Sequence, residues 1–394
     1  MTARLIIEPL RSGHHLAYLV ELVNGAASRG LDVIVAVGSD SSGDEIATRL
    51  RSAGNGAAPA IVRVRMSVDG KARLGPFGRI VDAYRWWRFL ARAHRAATAV
   101  SPVEFVFVPY LDASLFAISI LGSPFGNTPF GGISMAQRFH LYQMGVTAVP
   151  QKASSLRKQL FFRLLRTKGL RQLFVIDDTL EGFVRRERAD LGEKIRFLPD
   201  PSAPPQRSAK DEARDALRLA RDVPLIVAYG SLDRRKGIGT LLDWVADDDN
   251  GPRAHVLLAG RVREEVLQLL DSELARRLVS QRRLTLLTRY IEDDEESLIL
   301  SAADAIWIAY DGVESMSGVL VKAALYGKAV LYRDFGLIGR YAALFGCRVS
   351  PTQLGLPALP AGVRLCAFDN RPSPAALPDH SWNNACDHIF GPGA

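Results

Sequence analysis

The segment 303–336 constrains the fold more than any other, because it predicts a strand, a loop, a helix and a second strand in direct succession. Residues 305–310 and 329–332 are short apolar runs typical of buried strands. Between them, Ser315 or Ser317 is expected to cap a helix whose apolar residues recur at helical spacing. In the resulting βαβ unit, the small-residue turn before the helix presents free backbone N–H groups and favours an anion. The alternative is an ordinary strand-to-helix turn.

Length and composition indicate two soluble domains. With 394 residues, 48% of them hydrophobic and 23% charged, the chain is too long for one compact core. Its three cysteines, Cys347, Cys366 and Cys386, lack CxxC spacing, which argues against a disulfide framework or a zinc site and fits the cytoplasm. Residues 1–15 show no signal peptide, and proline and acidic residues interrupt the most apolar stretch, 100–122, so that it cannot span a bilayer as one helix.

The positive charge is concentrated in the first half of the chain. Residues 1–200 hold 27 Lys and Arg against 17 Asp and Glu, whereas residues 201–394 hold 23 against 25. Two predicted helices at 79–95 and 154–168 mix cations with Trp and Phe, a composition typical of helices at an anionic membrane surface. The alternative is that their aromatic residues pack into the core while the cations are solvated. No nucleic-acid-binding motif accompanies the charges, so nucleic acid is not an expected partner.

The first half opens with the pattern of a doubly wound parallel sheet. A strand at 5–7 is followed by a loop containing Gly13, a helix at 16–29 and a second strand. Gly13 permits a ligand to approach the backbone closely, whereas His14 and His15 either bind a ligand or are solvated. There is no GxGxxG motif, so a nicotinamide or flavin site is not supported. Further strands are predicted at 105–109, 173–176 and 195–198, a loop at 127–132, and His140 near the end of a strand.

The second half predicts another parallel sheet after a Pro-rich boundary at 199–205. Strands are predicted at 225–229, 256–259 and 284–287, and a capped helix with Trp382 as its packing anchor at 381–389. Cationic residues at 234–236, Arg261 and Arg289 follow these strands. Because the carboxyl ends of parallel strands share one edge, we expect the cations to converge with the helix start near Ser315 on a diphosphate. The alternative is that each is an ordinary surface charge.

Two motifs in the second half resemble those of the retaining glycosyltransferases of family 4. GSLDRRKGIGTLLDW (230–244) is similar to the family's phosphate loop, and VESMSGVLVKAALYGKAV (313–330) is similar to its signature of two glutamates separated by seven residues. The resemblance implies an α/β chain of GT-B fold, with two Rossmann-like doubly wound domains facing across a cleft. It implies an acceptor-side domain at 1–200 and a nucleotide-sugar donor domain at 206–370, and we expect a tail helix within 371–394 that packs back on the first domain.

The resemblance also implies roles for individual residues. Lys236 would contact the donor diphosphate, Glu314 would lie by the transferred sugar, and His140 would lie on the acceptor side; Glu314 and His140 are the candidate catalytic residues. The candidate donor-binding residues are Gly13, Ser231, Arg235, Lys236, Met316, Ser317, Gly318, Val319 and Lys322. No metal and no other cofactor is implied.

Two residues depart from the family pattern. Ser231 replaces the Arg that usually follows the glycine, so one phosphate-binding charge is missing unless Arg234 or Arg235 supplies it. Lys322 replaces the second glutamate, which in the family holds the ribose hydroxyls, and an ammonium cannot accept those hydrogen bonds. We expect Lys322 to pair with Glu314 or to reach a phosphate.

The function implied is transfer of a sugar, with retention, from a nucleoside-diphosphate donor to a glycan or lipid-linked acceptor, as in surface polysaccharide or glycoconjugate synthesis. The basic first half fits a cytoplasmic enzyme in peripheral contact with an anionic membrane. Two alternatives stay open. One is a non-catalytic GT-B-like protein that binds a nucleotide or glycan, or scaffolds a partner, and the other is a nucleotide-sugar epimerase.

Overall fold

The computed structural model describes residues 2–9, 14–39, 41–53, 59–65, 75–152, 154–247, 251, 253–368 and 378–391. The chain divides into two compact units. The first contains Met1–Pro201 and His380–Ala394, and the second contains Ser202–Asp379. The division between the units at Pro201 falls within the Pro-rich segment that the sequence marks as a linker.

The first unit is built on a seven-stranded parallel sheet in the order β3-β2-β1-β4-β5-β6-β7. Its strands are β1 (Ala3–Ile7), β2 (Val33–Gly38), β3 (Ala60–Val64), β4 (Val103–Val108), β5 (Phe130–Ser134), β6 (Leu170–Val175) and β7 (Ile195–Phe197). The helices between them are α1 (His14–Ala27), α2 (Ser41–Ala53), α3 (Gly75–Thr98), α4 (Asp112–Leu121), α5 (Ser154–Leu165) and α6 (Asp178–Glu187). Strands β1 and β4 at the centre are mostly apolar, and most of their residues are buried, as expected for a parallel sheet covered on both faces.

The second unit has a seven-stranded sheet in the order β10-β9-β8-β11-β12-β14-β13. Its strands are β8 (Leu225–Tyr229), β9 (His255–Ala259), β10 (Leu284–Leu287), β11 (Ala305–Ile308), β12 (Ala329–Arg333), β13 (Cys347–Arg348) and β14 (Val363–Ala367). Among the described strands, β14 pairs antiparallel with both β12 and β13, and the other pairs are parallel. The helices are α7 (Lys210–Ala216), α8 (Ile238–Ala246), α9 (Glu264–Leu270), α10 (Glu273–Ser280), α11 (Asp293–Ala302), α12 (Gly318–Leu325) and α13 (Gly336–Phe345).

A C-terminal helix, α14 (Trp382–Phe390), packs on α1 of the first unit. Ser381 caps it by accepting a hydrogen bond from the Asn384 N–H at 3.1 Å, as the sequence predicts. The ring of Trp382 meets that of Tyr18 edge to face, with the centroids 4.7 Å apart. These contacts attach the end of the chain to the unit that contains its beginning.

The prediction of a loop at 127–132 is wrong in part, because Phe130–Ser134 is a central strand. The misleading residues are Gly131 and Gly132, which usually break strands. Here they let neighbouring strands approach closely. A Cβ atom on Gly132 would lie 2.5 Å from the carbonyl oxygen of Val108, closer than real Cβ contacts allow.

The aromatic residues of the two basic helices lie mostly in the protein rather than at its surface. Phe89 of α3 and both Phe161 and Phe162 of α5 belong to the core of the first unit. Trp87 is half-buried and donates a hydrogen bond from Nε1 to the carbonyl oxygen of Gly122 at 2.9 Å. For Phe89, Phe161 and Phe162 the structure therefore favours the alternative of core packing, whereas Tyr84 of α3 is exposed. No described helix is long and apolar enough to cross a bilayer.

Candidate functional site

The candidate donor site lies where the parallel strands of the second sheet end. Strands β10, β9, β8, β11 and β12 run in the same direction, so the segments that follow β8 and β11 emerge at one edge. The phosphate-loop motif at 230–237 follows β8, and the segment 309–317 leads from β11 to α12. The sheet topology thus brings the two sequence motifs to the same edge, which is where α/β sheets bind their ligands.

Lys236 is held in place from several directions. Its Nζ donates hydrogen bonds to the hydroxyl of Tyr310 and, at 3.3 Å, to the carbonyl oxygen of Tyr229. The ammonium also lies 4.2 Å from the centroid of the Tyr310 ring. Its backbone carbonyl accepts a hydrogen bond from Trp307 Nε1 at 2.9 Å. Lys236 is therefore a positioned cation at the end of β8 and β11, in contact with neutral groups.

The arginines around Lys236 have partners of their own. Arg235 is 69% exposed and pairs with Asp233 at 2.6 Å, and that hydrogen bond raises the pKa of the Arg235 guanidinium. Arg289 forms a bidentate pair with Glu295 at 2.5 and 2.6 Å. Ser231 is exposed on the loop and provides no charge. Among the predicted phosphate-binding cations, Arg235 and Arg289 thus pair with carboxylates, whereas Lys236 contacts neutral groups and Arg261 lies 5.2 Å from the centroid of the Tyr290 ring.

The turn before α12 contains Glu314 and the other candidate residues of the second motif, Met316, Ser317, Gly318 and Val319. Ser317 is the N-cap residue, with extended backbone, but its side chain makes no capping hydrogen bond, contrary to the prediction. The N–H groups of the first turn are consequently not satisfied by that hydroxyl, which leaves the helix start suited to an anion.

The segment after β12 fixes the position of Glu314. The carbonyl oxygen of Glu314 accepts a hydrogen bond from the Leu337 N–H at 3.0 Å. Gly336 has a φ of 62°, and a Cβ atom on it would lie 2.7 Å from Glu314 Cα. Only glycine fits this close, left-handed turn, so α13 supports the backbone that carries Glu314.

Lys322 forms an ion pair with Glu296 of α11, a residue that the sequence analysis did not single out. The side chain of Lys322 is 34% exposed, whereas that of Glu296 is only 10% exposed. Lys322 Nζ lies 5.8 Å from the centroid of Tyr229, and burial together with the Glu296 carboxylate raises the pKa of the Tyr229 hydroxyl. The structure thus pairs Lys322 with Glu296 rather than with Glu314, and this ion pair joins two helices.

His140 of the first unit is completely buried and does not lie at a strand end, because β5 ends at Ser134 and His140 lies in a later turn. Its Nε2 lies 2.7 Å from Asp177 Oδ2 and 3.2 Å from Thr179 Oγ1. Its Nδ1 is buried without a hydrogen-bond partner among the described residues. Asp177 also caps α6, so the carboxylate fixes both the ring and the helix. Gly13 lies outside the described residues.

Other polar residues at the carboxyl edge of the first sheet are not distinguished by a sequence motif. Glu8 follows β1 and lies 2.9 Å from His15 Nδ1, and both side chains are buried. Asp112 follows β4 and accepts hydrogen bonds from Ser134 Oγ at 2.7 Å and from the Met135 N–H at 2.6 Å. Burial raises the pKa of Asp112 against these hydrogen bonds. Across the described residues, no group of three His, Cys, Asp or Glu side chains is arranged to hold a metal ion.

By sequence, the chain matches no protein-family model and no curated protein. Its structure is similar to solved structures of glycosyltransferases. Sucrose-phosphate synthase from Thermosynechococcus elongatus superposes with a TM-score of 0.60 at 17% identity, over 98% of this chain and 92% of the other. HepE from Anabaena, in complex with UDP and glucose, gives 0.58 at 15%, over 86% and 83%. WaaG, a glycosyltransferase of lipopolysaccharide biosynthesis, gives 0.56 at 14%, over 99% and 94%.

The chain has the GT-B fold. The fold class predicted from the two motifs is confirmed, and each unit contains one of the two Rossmann-like sheets. Within this fold, the described candidate donor residues lie on the second unit, and His140 lies on the first, which also includes position 13. The family 4 assignment and the roles of these residues remain predictions.

Proposed function

We propose that this protein is a retaining glycosyltransferase of family 4. It would transfer a sugar from a nucleoside-diphosphate donor to a glycan or lipid-linked acceptor in surface polysaccharide or glycoconjugate synthesis. The observation that carries the proposal is the meeting of Lys236 and the start of α12 at one sheet edge. The GT-B fold and the sugar-transferring enzymes that share it support the same conclusion.

The chemistry follows from the charges at that edge. The bond between the anomeric carbon and the diphosphate breaks, and negative charge develops on the departing oxygen. The Lys236 ammonium and the N–H groups of α12 stabilise this charge without metal. The acceptor oxygen attacks the same face of the sugar, and its proton passes to the departing phosphate oxygen, so the configuration is retained. Glu314 would lie by the transferred sugar, whereas His140, the predicted acceptor-side residue, is fully buried against Asp177 in this conformation.

The nucleotide would bind beside the ion pair of Lys322 and Glu296. Complexes of HepE with UDP and UDP-glucose support a uridine nucleotide as the first donor to examine. The carboxylate of Glu296 retains acceptor capacity beyond its bond to Lys322. The departure from the family signature at Lys322 is therefore compatible with a bound nucleotide.

We further propose that the first unit contacts an anionic membrane at the cytoplasmic face. Ile80, Val81 and Tyr84 are exposed along α3, beside the exposed Arg85 and Arg88. Exposed apolar side chains next to cations are typical of interfacial helices. Flotation with phosphatidylglycerol vesicles tests this contact. Val81→Asp is expected to weaken it, whereas Val279→Asp, at a similarly exposed position on α10 of the second unit, is not.

Turnover of the donor tests the enzymatic proposal. Purified protein is incubated with UDP-glucose and other nucleotide sugars, with and without a glycan acceptor, and products are followed by NMR at the anomeric proton. Release of nucleoside diphosphate with a retained anomeric configuration supports the proposal. Binding without release would support the non-catalytic alternative, which the ion pair of Lys322 motivates. Isomerisation of the sugar without an acceptor would identify an epimerase.

A further inference from the structure

A cationic cavity lies at the start of α5 in the first unit. It has a volume of about 390 Å³ and is lined by Arg138, Gln151, Lys152 and Arg157. The cavity is open to solvent, its three cations Arg138, Lys152 and Arg157 are exposed, and none of its four lining residues is acidic. Because α5 follows the parallel strand β5, its N-terminus lies at the carboxyl edge of the first sheet, the edge at which α/β sheets bind ligands.

The charges around this helix start are opposite to those that a helix dipole favours. The first turn of α5 contains no acidic residue but does contain Arg157, and Lys158 follows directly. Cations near a helix N-terminus are destabilising. Lys158 is balanced by Glu187 at 3.1 Å. Arg157 instead donates to the neutral Gln151 Oε1 at 3.3 Å. The three cationic side chains that line the cavity and the positive end of the helix dipole thus all favour an anion there.

We propose that this cavity binds the phosphate or diphosphate group of the acceptor. The inference rests on the proposed function for the identity of the acceptor, whereas binding of the anion itself does not depend on it. Guanidinium groups bind phosphate oxygens in pairs, an ammonium adds a point charge, and helix N–H groups complete the site. A sugar hydroxyl attached to a phosphorylated carrier would be held by its phosphates at the sheet edge that also carries Asp112 and the buried His140–Asp177 pair.

Inorganic pyrophosphate is the probe for this site, and UDP is added first so that the candidate donor site is already occupied. Isothermal titration of the full chain is compared with the double variant Arg138→Gln/Arg157→Gln. Arg163→Gln is the matched control, because Arg163 is exposed on the same helix outside the cavity. We expect pyrophosphate to bind in the presence of UDP, at least tenfold more weakly to the double variant, and unchanged to the control.

Three results would overturn the proposal. Pyrophosphate binding that is equal in the wild type and the double variant would exclude the cavity. An equal loss in Arg163→Gln would show a diffuse charge effect. Loss of phosphatidylglycerol vesicle binding in the double variant, without pyrophosphate binding by the wild type, would assign the cavity to a lipid headgroup instead.

The experiment distinguishes failure of this proposal from failure of the proposed function and from misfolding of a variant. UDP binding is measured in the same samples, so failure of the donor site and failure of this cavity are separate results. In the absence of anions, the single variant Arg157→Gln is expected to melt at the same temperature as the wild type or higher, because it removes a cation from a helix N-terminus. A lower melting temperature would show that Arg157 is structural.

Discussion

Lys322 of α12 donates a hydrogen bond to Glu296 Oε1 of α11, and this ion pair joins two helices beside the candidate donor site. Lys322 occupies the position on α12 where the family signature has a glutamate, and the acidic residue Glu296 lies on the neighbouring helix. The pair keeps a carboxylate at the sheet edge, next to Tyr229 at the end of β8. At this edge the chain therefore differs from the family 4 signature in the arrangement of its charges.

Replacing Lys322 with glutamate is expected to destabilise the second unit. The change Lys322→Glu would place a second carboxylate beside the nearly buried Glu296, at a cost of about 1–3 kcal/mol from the lost partner alone. The charge-reversed double variant Lys322→Glu/Glu296→Lys should recover most of that loss. Urea denaturation of the wild type, Lys322→Glu, Glu296→Lys and the double variant measures the coupling. Equal stabilities of the single and double variants would contradict the importance of the pair.

The C-terminal helix leaves no room for a methyl group at Gly25 of α1. A Cβ atom there would lie 2.2 Å from Cys386 Sγ. We expect Gly25→Ala to lower the melting temperature and to expose α14 to proteolysis, with a cost of about 1–3 kcal/mol for overpacking. Adding Cys386→Ala removes the sulfur and should restore part of the stability. No recovery in the double variant would show that α14 is not packed on α1 in this way.

The contribution of Lys328 to the free energy of unfolding is expected to increase at alkaline pH. Burial lowers its pKa from 10.5 to about 8 in the folded state. Between about pH 8 and 10.5 the unfolded chain binds more protons at this group than the folded chain, so this group's contribution to the free energy of unfolding increases with pH. Comparing wild type with Lys328→Met by urea denaturation at pH 7.5 and 9.5 isolates the effect. The wild type should gain stability relative to the variant; a constant difference would contradict the lowered pKa.

Elements that depend on local sequence patterns were predictable, whereas features that depend on long-range contacts were not. The apolar run 225–229 coincides with β8, and Ser381 caps α14 as predicted, because strand hydrophobicity and N-capping are local properties. The strand containing Gly131 and Gly132 was not predictable, since its glycines are explained only by the neighbouring strands that approach them.

The same distinction applies to the candidate site. Lys236 and Glu314 belong to motifs of adjacent residues, and the sheet topology brings those motifs to one edge. Glu296 belongs to an acidic run at the start of α11, where negative charge is already explained by the helix dipole. Its ion pair with Lys322, 26 residues later, therefore could not be predicted from the sequence. The buried partner of His140, Asp177, is still more distant in sequence, at 37 residues.

The central claim is that Lys236 anchors a nucleoside diphosphate at the carboxyl edge of the second sheet. A thermal-shift and calorimetric titration with UDP, GDP, ADP, CMP and dTDP tests it most directly, because a ligand of the folded state raises the melting temperature. We predict binding of at least one nucleoside diphosphate, weakened tenfold or more by Lys236→Ala, which corresponds to about 1.4 kcal/mol. Arg276→Ala, which removes an exposed cation of α10, should leave binding unchanged. Absence of binding by all five nucleotides, or equal binding by Lys236→Ala, would contradict the account.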